Sequence, residues 1–261
     1  MKLFLVIIFF IPYYMYIDMP NSFRRFFANI ICGFVPGRDR RRLVRVLLNS
    51  DVAKYLRFIK SDIGARPRKI KYFVGYQARS LLVSVDDKYI YKFPLRRDNS
   101  DDLARREFRI VNALRDLSPL YVPPVQLLEY NGRVVRKYEF IHGTQFRHLP
   151  TDVAYRHMNK IAKQIAACMY KIGCADPMEI RDLKPNKSDA PAYKYGWTQG
   201  DIYDNFLVDE QTGNVLAMID WEDAYFGDFS RLFKRRHISI ASEFMDCVVA
   251  EYDRLYKKGA K

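Results

Sequence analysis

The sequence predicts an α+β protein, in which short antiparallel strands alternate with amphipathic helices. Apolar residues recur at helical spacing over 101–115 and 151–173. Short runs of β-forming residues, separated by turn residues, occupy 69–93 and 206–219. The length of 261 residues is enough for one two-lobed domain or two small ones.

The composition excludes several classes of protein. Apolar residues make up 49% of the chain and charged residues 28%, as in a folded protein. Glycine and proline number only 12 each, too few for a collagen-like or low-complexity chain. The cysteines form no CxxC pair, which excludes a disulfide scaffold and the usual structural zinc spacings and is typical of a reducing compartment. They are Cys32, Cys168, Cys174 and Cys247.

Positive charge is concentrated at the N-terminal end of the chain. The net charge is +14, and residues 1–70 hold fourteen Lys or Arg residues against four acids. Such an excess predicts an anionic partner, either nucleic acid or an anionic membrane surface. Because no nucleic-acid-binding module is recognisable, we expect no nucleic-acid partner.

The first apolar stretch, residues 3–17, carries no charge. At about 1.5 Å per residue it is shorter than the roughly 30 Å hydrocarbon core of a bilayer, and Pro12 disfavours a straight helix. No small-residue cleavage site follows, so a removable signal peptide is not expected. Translation from Met19 would remove this stretch altogether.

Arginines and apolar patches alternate after this stretch. Arg24 and Arg25 precede an apolar patch at 26–31, and five further arginines lie within 38–45. This alternation favours an interfacial membrane anchor, and we expect residues 1–66 to form a membrane-associating segment. The alternative is a buried N-terminal helix with a solvated basic face.

Three short strands are predicted at 69–74, 81–85 and 88–93. Asp86 and Asp87 form a turn signal between the second and the third. Such strands, joined by short connections, indicate an antiparallel meander.

A helix is predicted over 101–115, and one member of its apolar face is a carboxylate, Glu107. An acid on an inward face usually has a cationic partner, because an unpaired buried charge is costly. We therefore expect Glu107 to be paired.

A hairpin follows this helix. Strands are predicted at 125–129 and 134–138, and the Asn131-Gly132 pair between them is a strong hairpin signal. A long helix is then predicted over 151–173.

A second hairpin brings acidic residues together. Its strands are predicted at 206–208 and 215–219, so the start of the first strand lies beside the end of the second. This pairing places Asp201, Asn205 and Asp220 at one end of the hairpin. Carboxylate and amide oxygens are the ligands that Mg²⁺ prefers, so the arrangement predicts a magnesium site.

Two motifs of this region resemble those of the aminoglycoside phosphotransferase and choline kinase group. The likeness spans residues 69–235 and implies a protein-kinase-like two-lobed fold. The implied N-lobe, an antiparallel sheet, covers 67–140, and a small, mainly helical C-lobe covers 141–261. The motifs are Gly200-Asp201-x-x-x-Asn205-Phe206-Leu207-Val208 and Ile219-Asp220-Trp221-Glu222.

The resemblance continues upstream in the same order and implies roles for single residues. Lys92, near the end of a third strand, would hold phosphate oxygens, and Glu107 would orient Lys92 by an ion pair. Asp201 would orient the acceptor hydroxyl or accept its proton. Asn205 and Asp220 would hold Mg²⁺ on the phosphates of ATP.

Further residues of the implied nucleotide site lie in the N-lobe and at the hinge. Ile90 would touch the adenine. Backbone groups near Glu139 and Ile141, in a segment similar to the hinge between the lobes, would pair with the adenine. Backbone amides from Gly75 to Ser80 would cover the phosphates.

The sequence departs from this family in three places. Gln199 stands where a histidine is usual, at a position that mostly supports loop geometry. Asp201 and Asn205 are four residues apart, where five is usual, which leaves Asp204 as an alternative to Asn205. The short C-lobe disfavours a large acceptor bound in a deep pocket.

The expected function is therefore that of an ATP- and Mg²⁺-dependent kinase acting on a hydroxyl of a small or lipid-linked acceptor. The run FVPGRDRRRLVRVLL is similar to a segment of bacterial proteins that build envelope polysaccharide, which points to a lipopolysaccharide sugar. We expect peripheral or N-terminally anchored attachment at the cytoplasmic face of the inner or plasma membrane. The alternative is a catalytically inactive kinase-like binding module at the membrane. A protein kinase is disfavoured, because the sequence lacks a His-Arg-Asp motif and a long activation segment.

Overall fold

The computed structural model describes residues 28, 30, 32–33, 35–75, 79–95, 99–184, 195–228, 230, 232 and 239–259. The apolar stretch at 3–17, Arg24 and Arg25 lie outside these residues. Within the part of the chain that is described, no helix combines the length and apolarity needed to cross a bilayer.

Two helices precede the first strand. Helix α1 spans Arg38–Asn49 and helix α2 spans Val52–Ile63. The Asp51 side chain caps α2 by accepting a hydrogen bond from the Lys54 amide, and Gly64 ends the helix at a φ of 68°. Both helices are amphipathic, because the apolar residues of each fall on one side.

A five-stranded antiparallel sheet forms the N-lobe, with the strand order β1-β2-β3-β5-β4. This arrangement confirms the predicted meander and the hairpin that follows it. Both hairpin turns have the positive φ values that such tight turns require, at Asp86-Asp87 and at Asn131-Gly132. The strands are β1 (Ile70–Val74), β2 (Ser80–Val85), β3 (Tyr89–Pro94), β4 (Gln126–Tyr130) and β5 (Arg133–Glu139).

Helices α1 and α2 cover one face of this sheet. Ile59 of α2 is completely buried in a cluster with Val83, Phe93 and Val135 of the sheet. The ring of Tyr55 stacks on that of Phe93 with 4.3 Å between the centroids. Within residues 38–63, the apolar side of the helical pair therefore packs on the sheet, and the charged side faces solvent.

Helix α3 (Ser100–Leu114) packs between the sheet and the C-lobe, and the inward position of Glu107 is confirmed. The C-lobe contains two long helices, α4 (Thr151–Gly173) and α5 (Ser239–Gly259). The bounds of α4 match the prediction. The core of the C-lobe includes three aromatic rings that contact one another and come from separate segments, Phe146, Phe206 and Phe244.

Two small sheets in the C-lobe set up the loops of the candidate site. The strands β6 (Thr144–Gln145), β8 (Phe206–Val208) and β9 (Val215–Met218) form one sheet, in which β8 and β9 are the predicted hairpin. The strands β7 (Tyr195–Thr198) and β10 (Tyr225–Asp228) form the other, which the sequence did not predict. As a result, the loop after β7 lies beside the loop after β9.

Candidate active site

The two C-lobe loops touch at Gly200. This residue has a φ of 93°, and a Cβ atom there would lie 2.1 Å from the carbonyl oxygen of Asp223. Only glycine fits such a close approach in this backbone conformation. The motif glycine is therefore required where the loop that carries Asp201 meets the loop that carries Asp220.

The side chain of Gln199 ties the same two loops together. Its Nε2 donates to the carbonyl oxygens of Ile219 and Asp220, at 3.0 and 2.7 Å. Its Oε1 accepts a hydrogen bond from the Asp201 amide at 2.8 Å. Gln199 is only 2% exposed, so these three bonds satisfy an amide group that has almost no contact with water. The glutamine thus supports loop geometry, as was expected for this position.

Asn205 lies beside Asp220 in spite of the short spacing from Asp201. The Ile219 amide donates to the Asn205 carbonyl oxygen at 2.9 Å, which holds the two loops in register. Asp204, the alternative to Asn205, forms an ion pair with Arg147 at 3.4 Å. The backbone of Asn205 is therefore held next to the loop of Asp220, whereas the Asp204 side chain is paired with Arg147.

Asp220 occupies a left-handed backbone conformation, with a φ of 55°. Such a conformation is uncommon for residues other than glycine, and it turns the chain sharply after β9. The Asp220 side chain is 40% exposed and forms an ion pair with Lys92 at 2.7 Å. The metal-ligand candidate and the phosphate-binding candidate are thus in direct contact.

Lys92 lies on the sheet face opposite α1 and α2, and its side chain is only 6% exposed. It contacts a second carboxylate, Glu222, at 2.9 Å. Arg136 is its direct neighbour across the β3–β5 pair. Two cations therefore stand side by side on the face of the sheet that meets the C-lobe loops.

Glu107 is paired, as expected, but its partner is not the predicted one. Its carboxylate forms an ion pair with Arg136 at 2.6 Å and accepts hydrogen bonds from the Tyr138 hydroxyl and the Trp221 amide. Within the described residues, the carboxylates in ion-pair contact with Lys92 are Asp220 and Glu222. The predicted Lys92–Glu107 pair is therefore wrong, because the cation directly across the sheet from Lys92 reaches Glu107 instead.

The charges of this cluster stabilise one another. Burial raises the pKa of a carboxyl group, but beside Glu222 the cations Lys92 and Arg136 outweigh burial and lower its pKa to about 2. Burial also acts to lower the pKa of Lys92, but the carboxylates of Asp220, Glu222 and Glu107 together outweigh it, so this pKa is raised. For Asp223, burial and the neighbouring carboxylates Glu222 and Asp220 act together and raise the pKa.

The predicted hinge residues lie at the end of β5. Glu139 pairs with Tyr89 in the sheet, and its side chain accepts a hydrogen bond from Tyr121. The Ile141 backbone amide has no hydrogen-bond partner among the described residues. Ile90 lies opposite Tyr138, on the same face of the sheet as Lys92. The Ile141 amide and the Ile90 side chain are thus available at the end of β5 for the predicted contacts with adenine.

Gly75 and Ser80 face each other across the β1–β2 hairpin. The Gly75 amide donates to the Ser80 carbonyl oxygen at 2.9 Å, so it is not free to cover phosphates as predicted. Ser80 is only 4% exposed. Residues 76–78, which complete this loop, lie outside the described residues.

Sequence reasoning missed two charged residues of the site, Arg136 and Glu222. Strand alternation gave a signal for Arg136, because it shares a face with Tyr138 two residues later. Glu222 belongs to the quoted motif, but nothing in the sequence pairs it with Lys92. That contact depends on how the loop after β9 approaches the sheet.

The oxygen donors present fit a magnesium ion. The Asp220 carboxylate, next to the Lys92 ammonium, and the side-chain amide of Asn205, whose backbone is bonded to Ile219, would supply hard oxygen ligands from adjacent loops. Within the described residues, no group of three or more His, Cys, Asp or Glu side chains forms a metal cluster. Two protein ligands are typical of Mg²⁺ sites that are completed by substrate phosphates and water.

Comparison with known proteins gives the fold. Neither a protein-family profile nor a curated protein sequence matches the chain. Among solved structures, wild-type aminoglycoside 2'-phosphotransferase-IIIa in complex with GDP is similar, with a TM-score of 0.63 and 15% identity over 78% of this chain and 83% of that one.

Two other structures extend the likeness. The streptomycin–ATP ternary complex of APH(2")-IIa has a TM-score of 0.59 and 15% identity, and the match covers 78% of this chain and 84% of that one. The macrolide 2'-phosphotransferase MphH from Brachybacterium faecium has a TM-score of 0.56 and 15% identity. This match covers 77% of this chain and 82% of that one. The chain therefore has the protein-kinase-like fold of the aminoglycoside phosphotransferases, as the resemblance in its sequence predicted.

Proposed function

We propose that this chain is a phosphotransferase that moves the terminal phosphoryl group of ATP to a hydroxyl of a small or lipid-linked acceptor. The observation that carries the proposal is the Gln199 bridge, which ties the backbone of Asp201 to the backbone of Asp220, whose side chain contacts Lys92. Phosphoryl transfer needs positioning and charge neutralisation more than covalent chemistry, and these residues supply both. The solved structures of this fold that contain GDP, ADP or ATP support it.

Each residue has a defined part in this reaction. Lys92 would bind phosphate oxygens, and Asp201 would orient the acceptor hydroxyl or take its proton. Asn205 and Asp220 would hold Mg²⁺, which when bound supplies positive charge to the transferring phosphate. Ile90 and the amide of Ile141 would contact the adenine.

Activity measurements on the full chain test the proposal. We expect ATP turnover with an acceptor that carries free hydroxyls, and a loss of more than about 100-fold in Asp201→Asn, because a positioned base contributes roughly 10²–10⁴-fold. Asp204→Asn is the matched control in the same loop. Equal turnover in wild type and Asp201→Asn would contradict the assignment.

For the acceptor we propose an envelope sugar, of the lipopolysaccharide type. The support is the N-terminal segment that is similar to proteins building such polysaccharides, together with solved structures of this fold that hold streptomycin, gentamicin or kanamycin. A comparison of phosphorylation of lipopolysaccharide-core oligosaccharides and of aminoglycosides tests it. Exclusive use of aminoglycosides would contradict an envelope acceptor.

We also propose that the basic N-terminal part binds an anionic membrane surface, at the cytoplasmic face of the inner or plasma membrane. Within the described residues, none of the five arginines of α1 forms an ion pair with a carboxylate, and Arg40 and Arg45 are exposed. Binding of the full chain to anionic vesicles should weaken with salt and in Arg40→Glu/Arg45→Glu. Lys257→Glu/Lys258→Glu makes the same charge change on α5 and serves as the control. Equal losses in both variants would argue against a specific surface.

The second candidate function is a kinase-like module without catalysis. The short spacing between Asp201 and Asn205 favours it, as does the Lys92–Asp220 pair, which occupies both groups at once. This alternative predicts nucleotide binding that does not depend on Mg²⁺, or no binding.

A further inference from the structure

The charged groups around Lys92 form a continuous chain of alternating sign. Asp220 contacts Lys92, Lys92 contacts Glu222, Glu222 contacts Arg136, and Arg136 contacts Glu107. The four distances, in that order, are 2.7, 2.9, 2.8 and 2.6 Å.

The two ends of this chain differ in their access to solvent. The Glu107 side chain is completely buried, and Arg136 is 5% exposed. Asp220 is 40% exposed and lies at the open end. Glu222 stands between them, belongs to the C-lobe loop, and is shared by both cations of the sheet.

We propose that Glu222 is the carboxylate that positions Lys92, and that Arg136 is the positioning residue that holds Glu222 in place. The inference rests on the proposed function, because it concerns how the phosphate-binding lysine of that site is held. The resemblance implied that Glu107 orients Lys92, and the proposal assigns this role to Glu222, a residue of the C-lobe. Glu107 acts on Lys92 only indirectly, because it holds Arg136 in place.

The geometry favours Glu222 over the other carboxylate in contact with Lys92. Asp220 is the candidate metal ligand, and an oxygen that binds a cation is less available to an ammonium group. Lys92 is nearly buried and needs a partner that stays with it, because an unpaired charge in that position is costly. Glu222 meets this need, since Arg136 holds it from the other side.

Arg136 joins the carboxylates of Glu107 and Glu222. Its planar guanidinium reaches two carboxylates at once, and here one nitrogen, Nη1, contacts both Glu107 and Glu222. The Nε of Arg136 has no partner among the described residues and is buried, so the group is oriented by these two carboxylates. A link of this kind also couples the N-lobe sheet to the C-lobe loop.

Amine labelling of the ligand-free full chain tests the inference directly. Lys92 should be protected in wild type and labelled several-fold faster in Glu222→Gln, as measured by mass spectrometry. The affinity for a fluorescent ATP analogue, with and without Mg²⁺, should fall roughly 10- to 100-fold in the same variant. Arg109→Gln, which removes an exposed ion pair on the same helix as Glu107, should leave both quantities at the wild-type value.

Arg136 requires a paired variant, because Arg136→Met leaves Glu107 buried without a cation and the protein can fail to fold. In Arg136→Met/Glu107→Gln no charge is left unpaired, and we expect faster labelling of Lys92 and weaker nucleotide binding. Arg136→Lys should restore both in part. Wild-type labelling and affinity in the paired variant would overturn the role of Arg136.

The two readouts separate this inference from the proposed function. Absence of nucleotide binding in wild type would contradict the proposed function, whereas the labelling rates would still decide what holds Lys92. A lower melting temperature in Glu222→Gln with unchanged labelling and affinity would mean that the residue is only structural, and would overturn the inference.

Discussion

Gln199 donates a hydrogen bond from its side-chain amide to the carbonyl oxygen of Asp220, over 2.7 Å. The same side chain accepts from the backbone of Asp201. A single buried residue therefore sets the distance between the candidate base and the candidate metal ligand. Because its bonds go to the backbone, the contact fixes the loops themselves and does not use either carboxylate group.

Replacing Gln199 by alanine should separate the two loops. The change leaves buried backbone groups without partners, which costs about 1–3 kcal/mol for each such group. We expect a loss of unfolding free energy in urea of that order and a lower turnover number. Gln199→His, which can still donate one hydrogen bond and accept one, should lose less in both measurements. If Gln199→Ala and Gln199→His lost equal amounts of unfolding free energy and turnover, the hydrogen bonds that histidine retains would contribute nothing.

Gly200→Ala should be strongly destabilising, because the new methyl group would meet the carbonyl oxygen of Asp223. The positive φ adds strain of its own, so we expect a loss of at least about 3 kcal/mol in unfolding free energy. Gly132→Ala is the matched control. That glycine also has a positive φ, but nothing lies within 4 Å of its added Cβ, so about 1–2 kcal/mol is expected. Similar losses at the two positions would show that the loops can move apart.

Much of this architecture could be predicted from local patterns. Helix α4 was predicted to the residue, because its apolar spacing is regular over a long stretch. The Asn131-Gly132 turn fixed one hairpin, since both residues tolerate the positive φ values that it needs. The motif residues Asp201, Asn205 and Asp220 were placed together by strand pairing alone.

The N-terminal helices show where such reasoning stops. An amphipathic helix with arginines on one side has the same sequence pattern whether its apolar side meets lipid or protein. The apolar side of α2 packs on the sheet face around Phe93, which is distant in the sequence and is also apolar. Nothing within 38–63 contains that information.

The partner of Glu107 could not be predicted for a related reason. The sequence required a cation but offered several, and the resemblance pointed to Lys92. The choice of Arg136 follows from strand register and from the approach of the loop that carries Glu222. Both are long-range properties of the fold.

Asp62→Asn should lower stability in a pH-dependent way. Asp62 lies at the end of α2 and accepts hydrogen bonds from Lys137 and from the Tyr91 hydroxyl. Burial acts to raise its pKa, but these donors outweigh burial and hold the pKa below the usual 3.8. The stabilisation is therefore complete above pH 3.8 and is lost as the pH falls through the lowered value.

Urea unfolding at several pH values checks this expectation. The difference between wild type and Asp62→Asn should be about 1–3 kcal/mol at neutral pH and should shrink in strong acid. Asp152→Asn removes an exposed ion pair on α4 and should change the unfolding free energy by less than about 1 kcal/mol. A difference that does not vary with pH would contradict the ionised contact between α2 and the sheet.

Nucleotide and Mg²⁺ should stabilise the protein together more than either does alone. In the free protein Asp220 and Lys92 neutralise each other, so a nucleotide without metal must compete with Asp220 for Lys92. A cation on Asp220 removes that competition, and the two ligands should bind with positive coupling. The full chain is needed here, since removal of residues 1–66 would take away the completely buried Ile59.

Thermal unfolding with a non-hydrolysable ATP analogue measures the coupling. At about 100 times its dissociation constant the ligand adds roughly 2.7 kcal/mol, which corresponds to a shift of about 5–11 °C for a chain of this size. We expect that shift with Mg²⁺, a smaller one without it, and no effect of Mg²⁺ in Asp220→Asn. Asp204→Asn removes a neighbouring carboxylate and should retain the metal dependence. An equal shift in melting temperature with and without Mg²⁺ in wild type would instead favour a nucleotide-binding module without catalysis. In the proposed phosphotransferase, a cation on Asp220 is needed to release Lys92 for the phosphates.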